Sequence, residues 1–382
     1  MKFLHTADWQ LGMTRHFLED DAQARYSAAR RDAIVAIGAL ARETGAEFVV
    51  VAGDVFDANQ LAPKVISQCL DAMRAVDVPV YLLPGNHDPL DAASVYTSAL
   101  FLADCPDNVT VLDRAGAWEV RPGLEIVAAP WRSKKPTTDL TAEVLDGLPA
   151  DGTVRILLAH GAVDSLDPDR DNPAQISTAG LNAAIERSAV HYVALGDKHS
   201  RTAVGDSGRV WYSGSPEVTN YDHKEADSGH VLVVDIDLDS PAHPVTVDSR
   251  TVGTWRFLTL RREVNDSRDI ADLNLNLDEL PDKERTVVKL GLVGTLTVTD
   301  RAALDACIDR HSLRFAALSI WERNTDIAVM PADGEFDDLG IGGFAADAVA
   351  ELVATARSEG ADAGAARGAL ALLLRLKEGS AA

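Results

Sequence analysis

The sequence predicts an α/β protein built around parallel sheet, on three observations. Phe48-Val49-Val50-Val51-Ala52 is a short apolar run rich in β-branched residues and closed by Gly53. A run of that length beside glycine reads as a strand buried on both faces, the habit of parallel sheets. Around it strand-like and helix-like segments alternate in a β-α-β-α-β order. Each strand of that run ends on polar residues: Asp8-Trp9-Gln10, Asp54, and Asn86-His87-Asp88. In open α/β sheets, ligands gather at the carboxyl ends of strands.

The elements follow in order. Lys2 to Ala7 forms the first strand. A helix runs from about Ala22 to Glu43, with Ala33, Ile37, Leu40 and Ala41 at helical spacing and Gly45 as its stop. After the Asp54 strand, Pro63 opens a second helix whose Ile66, Leu70 and Met73 share a face. Val78 to Leu83 is the third strand. Val109 to Leu112, Glu125 to Ala129 and Val154 to Ala159 are further strands, the last ending in His160-Gly161. A helix over Gly180 to Arg187 precedes a strand over Val190 to Leu195, which ends in Gly196-Asp197-Lys198-His199. Arg209 to Ser213 and His230 to Asp237 are a closing pair of strands, with the turn Gly214-Ser215-Pro216 between them. These elements make a first domain over 1–250.

Beyond it the character changes. Trp255 to Arg262, Thr286 to Leu292 and Phe315 to Glu322 read as strands and Ala302 to His311 as a helix, a small α+β domain over 251–335 with no comparable polar cluster. Residues 336–382 read as a helical segment, Ala- and Leu-rich from Gly343 to Lys377. It is broken near Gly360, with Leu370, Leu372, Leu373, Leu374 and Leu376 crowding its second piece.

A chain of 382 residues, 46% hydrophobic and 25% charged, is long enough for two or three globular domains. Its net charge of -23 argues against a tight unaided grip on nucleic acid, which takes a basic face. Solubility, or a salty cytoplasm, is one account of that charge. The other is that a partner subunit or metal ions supply any nucleic-acid affinity. The three cysteines, Cys69, Cys105 and Cys307, are far apart and odd in number, so no disulfide framework follows and a reducing cytoplasm is expected. The opening MKFLHTADWQ reads as a strand and not as an apolar signal region, and no run of about 18 apolar residues suggests a membrane span.

Five strand ends carry metal-type residues: Asp8 with Gln10, Asp54, Asn86 with His87, His160, and Asp197 with His199. Any one of them alone is an ordinary turn, cap or packing residue. Five in register at the carboxyl ends of one sheet call for a shared cause, and a metal centre supplies it. Carboxylate, amide-oxygen and imidazole donors without thiolate suit Mn²⁺, Fe²⁺ or Zn²⁺. A central carboxylate can bridge two ions about 3.5–4 Å apart, an arrangement that activates water against a phosphate. His16 and Arg15 are either cleft residues or exposed loop residues. Trp131 and Arg132 either stack a base and contact a phosphate or, for Trp131, pack. His5 and His191 lie within strands and read as structural.

The pattern Asp8-x-Gln10, Gly53-Asp54-x-x-Asp57, Gly85-Asn86-His87-Asp88, His160 and Gly196-Asp197-x-His199 is similar to that of the calcineurin-like metallophosphoesterases. Within them, His5-Thr6-Ala7-Asp8-Trp9-Gln10-Leu11-Gly12 and the Tyr212-Ser213-Gly214-Ser215-Pro216 turn resemble the SbcD and Mre11 nucleases. The resemblance covers about residues 1–250. It implies a four-layer α/β/β/α sandwich with a small α+β cap and C-terminal helices. It also implies two divalent ions, with Asp54 bridging, Asp8, Gln10 and His199 on the first, and Asn86, His160 and Asp197 on the second. His87 would stand at the scissile phosphate with Asp88 orienting its ring, and Asp57 would support the site by hydrogen bonding. Gln10 and Asp197 stand where the family has histidine, which leads to an expectation of Mn²⁺ or Mg²⁺ over Zn²⁺ at the second site.

The resemblance further implies a DNA exo- and endonuclease in a repair complex, an SMC-like coiled-coil ATPase of the SbcC or Rad50 kind as partner, and a homodimer. The tail from Ala365 to Leu376 would be the docking element, unless it packs on its own domain. Two alternatives stay open: a phosphodiesterase or phosphatase for small or protein substrates, and a non-catalytic scaffold whose site has lost its metals.

Overall fold

The computed structural model describes residues 1–169, 171–330, 343–357, 362, 365–366, 368–370 and 372–373; the side chains of Asp20, Met330 and Arg357 are outside this description. The chain divides into two compact units, Met1–Arg256 and Phe257–Ala382.

The first unit opens with β1 (Lys2–Thr6), α1 (Asp20–Thr44), β2 (Val49–Val51), α2 (Pro63–Arg74), β3 (Val80–Leu82), α3 (Ala99–Asp104) and β4 (Val109–Val111). It continues with β5 (Gly116–Arg121), β6 (Leu124–Ala129), α4 (Leu140–Leu145), β7 (Val154–His160), α5 (Thr178–Glu186), β8 (Tyr192–Gly196), β9 (Thr202–Ala203), β10 (Val210–Tyr212), β11 (His230–Ile236) and β12 (Val245–Thr251). Two six-stranded sheets result, in the orders β12-β11-β1-β2-β3-β4 and β5-β6-β7-β8-β10-β9. Strands β1 to β4 run parallel, with β11 and β12 added antiparallel. In the second sheet β6, β7, β8 and β10 run parallel, with β5 and β9 antiparallel at the edges.

The period of two along each strand builds the layers. In and beside β2, Val49 and Val51 pack with Ile37, Leu40, Leu70 and Met73 of the first two helices. Phe48, Val50 and Ala52 face the other way, against Ile126, Leu158, Tyr192 and Ala194 of the second sheet. The opposite residues of that sheet, Leu157, Val193 and Leu195, pack under Leu181, Ala184 and Val144 of α5 and α4. Three successive cores therefore separate four layers, helices outside and the two sheets face to face. Helix α1 stops where expected: Gly45 takes a left-handed φ of 68° and its N–H caps the last turn.

Several elements fall outside the sequence expectation. Edge strands β5 and β12 carry alternating half-exposed and exposed residues, so they lack the apolar run that announces a central strand. In the second unit β13 (Arg256–Glu263), α6 (Ser267–Glu279), β14 (Thr286–Thr297), α7 (Val298–Ser312), β15 (Ala317–Ile320) and β16 (Asp326–Met330) form a four-stranded sheet whose core is shared with α6 and α7. Helix α6 buries Ile270, Leu273 and Leu277 at helical spacing behind an Asp266 cap, yet its run of Asp and Asn residues disguises it. Of the C-terminal segment, α8 (Phe344–Arg357) is described. The break near Gly360 and Leu374 and Leu376 of the leucine-rich tail lie outside the described residues.

Candidate metal centre

The carboxyl ends of β1, β2 and β3 in one sheet and of β7 and β8 in the other converge; this corrects the expectation of a single sheet, because the two sheets pack face to face with their parallel strands ending on the same side. One donor atom from each of Asp8, Asp54 and His160 lies within 4.8 Å of the other two, and all three residues are buried. Asn86 joins them through its Oδ1, 2.6 Å from His160 Nε2. Asp197 Oδ1 lies 4.0 Å from the same nitrogen, and His199 Nε2 lies 3.9 Å from Asp8 Oδ1. Gln10 donates from Nε2 to Asp54 Oδ2 at 2.8 Å. All seven residues singled out as donors in the sequence thus meet in one place.

The backbone is bent to achieve this. Asp8, Gln10, Asp54 and Asp197 have φ of 54°, 47°, 52° and 101°, left-handed values that cost a non-glycine residue about 1–3 kcal/mol and gather at functional sites. Glycines give the loops room. A Cβ on Gly85 would meet Asp54 Oδ1 at 2.3 Å, and one on Gly53 would meet His160 Nδ1 at 2.2 Å. One on Gly196 would meet the Ala52 carbonyl oxygen at 2.0 Å.

Each histidine is fixed by one ring nitrogen so that the other faces the cluster. His160 Nδ1 donates to the Ala52 carbonyl at 2.9 Å. His199 Nδ1 lies 2.6 Å from Thr219 Oγ1 and 3.3 Å from Glu225 Oε2. Glu225 in turn accepts from the Thr219 hydroxyl and from the Thr219 N–H at 2.8 Å. Such outer partners set the tautomer of a ligating histidine. Thr219 and Glu225 carry no spacing signal in the sequence, and the carbonyl of Ala52 carries none at all.

His87 is more open, its Nε2 3.9 Å from Asp54 Oδ2. Its ring is held by the Asp57 backbone carbonyl, 2.8 Å from Nδ1. This corrects the expectation for Asp88, whose carboxylate accepts instead from the N–H groups of Gly85 and Phe56 and from the Tyr96 hydroxyl. Asp88 therefore shapes the Asn86 loop and does not touch the His87 ring. Arg15 donates to the Thr219 carbonyl and braces the loop that holds His199. His16 is exposed, edge-on to Phe17. Trp131 is buried and donates from Nε1 to the His160 carbonyl at 2.6 Å, so it packs and does not stack a base. His5 lies between the Tyr192 hydroxyl and the Leu195 carbonyl, deep in the strands.

The electrostatics call for cations. Burial pushes the Asp8 carboxyl up to about 7. Burial also opposes charge on His160, but the Asp54, Asp8 and Asp197 carboxylates outweigh it and raise that ring to about 9. Asp197 is pushed up by burial as well. Gln10 Oε1 is buried without a hydrogen-bond partner, a costly state for an amide oxygen unless another group completes it. Clustered buried carboxylates, inward-facing imidazole nitrogens and an orphaned amide oxygen fit one or two hard or borderline divalent ions. The donor set matches the requirement without any thiolate.

The family model of the calcineurin-like phosphoesterases matches residues 1–234. The chain is 27% identical over 377 residues to an SbcCD nuclease subunit of Rhodobacter capsulatus, spanning 85% of this chain and 88% of that protein. It is 34% identical over 95 residues to the DNA double-strand break repair protein Mre11 of Archaeoglobus fulgidus, spanning 23% of this chain and 19% of that one. Among solved structures it is similar to TT1561 of Thermus thermophilus at 13% identity, with a TM-score of 0.39, over 66% of this chain and 98% of that one. With its strand-end donors gathered at one centre and the family match covering most of the first unit, the chain belongs to the calcineurin-like phosphoesterases.

Proposed function

We propose that the chain is a metal-dependent phosphodiesterase that cuts DNA as an exo- and endonuclease within a repair complex. The observation that carries the phosphoesterase chemistry is the buried cluster of Asp8, Asp54 and His160, with the Gln10 amide against Asp54 and its Oε1 buried without a hydrogen-bond partner. The DNA substrate is supported by the nuclease subunit of Rhodobacter capsulatus, which the chain resembles over most of both lengths. In this reading Asp8, Gln10, Asp54 and His199 hold one ion and Asp54, Asn86, His160 and Asp197 the other, with Mn²⁺ as the physiological metal.

Bound divalent ions supply a water of lowered pKa and neutralise phosphoryl charge. The chain does the rest. The Ala52 carbonyl and the Thr219–Glu225 pair keep the Nδ1 protons of His160 and His199 in place, so Nε2 is the atom each ring would offer to a metal on giving up any proton held there. The Asp57 carbonyl likewise takes the His87 Nδ1 proton. His87 Nε2 is then the atom that holds or releases a proton at the leaving oxygen.

The same reading places the protein in the cytoplasm and pairs it with an SMC-like coiled-coil ATPase, which supplies the DNA grip that a charge of -23 denies this chain. Residues 251–335 act as the cap, 336–382 as the docking segment, and two copies associate. The experiment compares Mn²⁺-dependent hydrolysis of a labelled DNA duplex with that of bis(p-nitrophenyl) phosphate, with and without the ATPase. Cleavage of both is expected. Cleavage of the small diester alone would defeat the DNA assignment. Metal content near zero after Mn²⁺ loading would favour the non-catalytic scaffold.

A further inference from the structure

A second polar feature lies one strand away from the metal centre. Strand β6 runs parallel to β7 with Ala129 opposite Ala159, which sets Pro130 level with His160 at the same edge of the same sheet. Adjacent strands are about 4.8 Å apart. Where β7 continues into the metal cluster, β6 continues into Trp131-Arg132-Ser133-Lys134-Lys135. Trp131 is clamped to the centre on both sides. Its N–H donates to the Pro84 carbonyl, its carbonyl accepts from Leu90 N–H, and its indole donates to the His160 carbonyl. The next residues open into a cavity of about 270 Å³, lined among others by Arg132, Ser133, Lys135, Thr137 and Thr138.

The charge of this cavity stands against the rest of the chain. Three of the four residues 132–135 are cationic, a density that no other four-residue window reaches in a protein of net charge -23. All three cations are exposed. Among the described residues none of the three forms an ion pair, whereas Arg25, Arg42, Arg74, Arg121, Arg155 and Arg201 each hold a carboxylate. Arg132 spends one N–H on the Asp113 carbonyl, which anchors the segment and leaves the rest of its donors. The one acidic group of the lining, Glu143, accepts from the Thr138 hydroxyl at 3.3 Å. Cations without carboxylate partners, beside hydroxyl groups and level with a phosphoesterase centre, match the chemistry of a phosphate oxygen.

We propose that the Arg132–Lys135 cavity is a phosphate subsite, gripping a neighbouring phosphate of the strand whose scissile phosphate lies at the metals. The proposal rests on the phosphodiesterase reading above and adds to it a device that favours polymeric over small diesters. The test is the double variant Arg132→Gln, Lys135→Gln in the full chain, with Arg250→Gln, on an edge strand of the other sheet, as control. With Mn²⁺, kcat/KM is measured for a fluorescent single-stranded oligonucleotide and for bis(p-nitrophenyl) phosphate, which is too small to span both places. A fall of about tenfold in the oligonucleotide-to-diester ratio in the double variant, absent from the control, is expected. An unchanged ratio overturns the subsite.

If the unaltered chain cleaves the diester and not the oligonucleotide, the DNA reading fails by itself. The subsite is then judged by oligonucleotide binding. Loss of two phosphate contacts should reduce the slope of log affinity against log salt by about 1.4. Equal slopes, or no binding by the unaltered chain at low salt, overturn it.

Discussion

Glu225→Gln is a change of one atom that should disable a metal ligand it never touches. In the native chain the Thr219 hydroxyl gives its proton to Glu225 Oε2 and so offers its lone pair to His199 Nδ1, 2.6 Å away. His199 must then carry its proton on Nδ1, and Nε2 is free to bind metal beside Asp8. Glutamine reverses the chain of donors. With its oxygen left on the Thr219 N–H, its NH₂ group faces the Thr219 hydroxyl. The hydroxyl must then donate to His199 Nδ1, and the ring proton moves to Nε2, where it blocks ligation. Turning the amide over instead sets NH₂ against the Thr219 N–H and leaves a buried donor unpaired, at about 1–3 kcal/mol. Outer-partner substitutions of this kind lower metal affinity about 10–100-fold, or about 1.4–2.7 kcal/mol. Calorimetric titration with Mn²⁺ measures the affinity, and the ¹⁵N shifts of the metal-free histidine ring report the tautomer. Native affinity within twofold, with the His199 proton still on Nδ1, would refute this relay.

Other perturbations test different parts of the site. His87→Ala should keep its metal and lose turnover by about 10²-fold or more, and retention of full rate would remove His87 from the mechanism. Gly196→Ala drives a Cβ to 2.0 Å from the Ala52 carbonyl, the group that fixes His160. Overpacking of about 1–3 kcal/mol should appear as a lowered melting temperature together with weakened Mn²⁺ binding, and unchanged values of both would contradict the packing. Because His160 is protonated below about 9 in the metal-free chain, metal binding at pH 7.5 should release about one proton, read from the buffer dependence of the titration enthalpy.

Burial lowers the His5 pKa from 6.5 to about 3, so the unfolded chain takes a proton there before the folded one does. The His5 contribution to stability is complete above pH 6.5 and is lost as the pH falls from there toward 3, about 2 kcal/mol of it by pH 5. Urea unfolding at pH 7.5 and pH 5 should show a smaller loss by about that amount in His5→Gln, and equal losses would exclude the effect.

Residue type and local period were enough to determine much of this protein. The apolar run at Val49–Val51, the helical faces of α1 and α2 and the Gly45 stop are local signals, and each marks where its element starts or ends. The chemistry of the centre was legible for the same reason, since Asp8, Asp54, Asn86 and His199 stand within a few residues of the end of a buried strand and His160 ends one. Edge strands β5 and β12 were not legible, because a half-exposed strand has no apolar run. Only the tertiary structure decided what holds the donors. The Ala52 and Asp57 carbonyls are chemically identical in every residue, and Glu225 reaches His199 across a loop that no periodicity describes. Sheet packing and sheet order set the rest. Packing of the two sheets face to face brought Asp8, at the end of β1, beside Asp197, at the end of β8, across 189 positions of chain, and the order of the second sheet laid the cations of Arg132–Lys135 one strand from His160. Such proximity is a property of the whole packed molecule and not of any one segment.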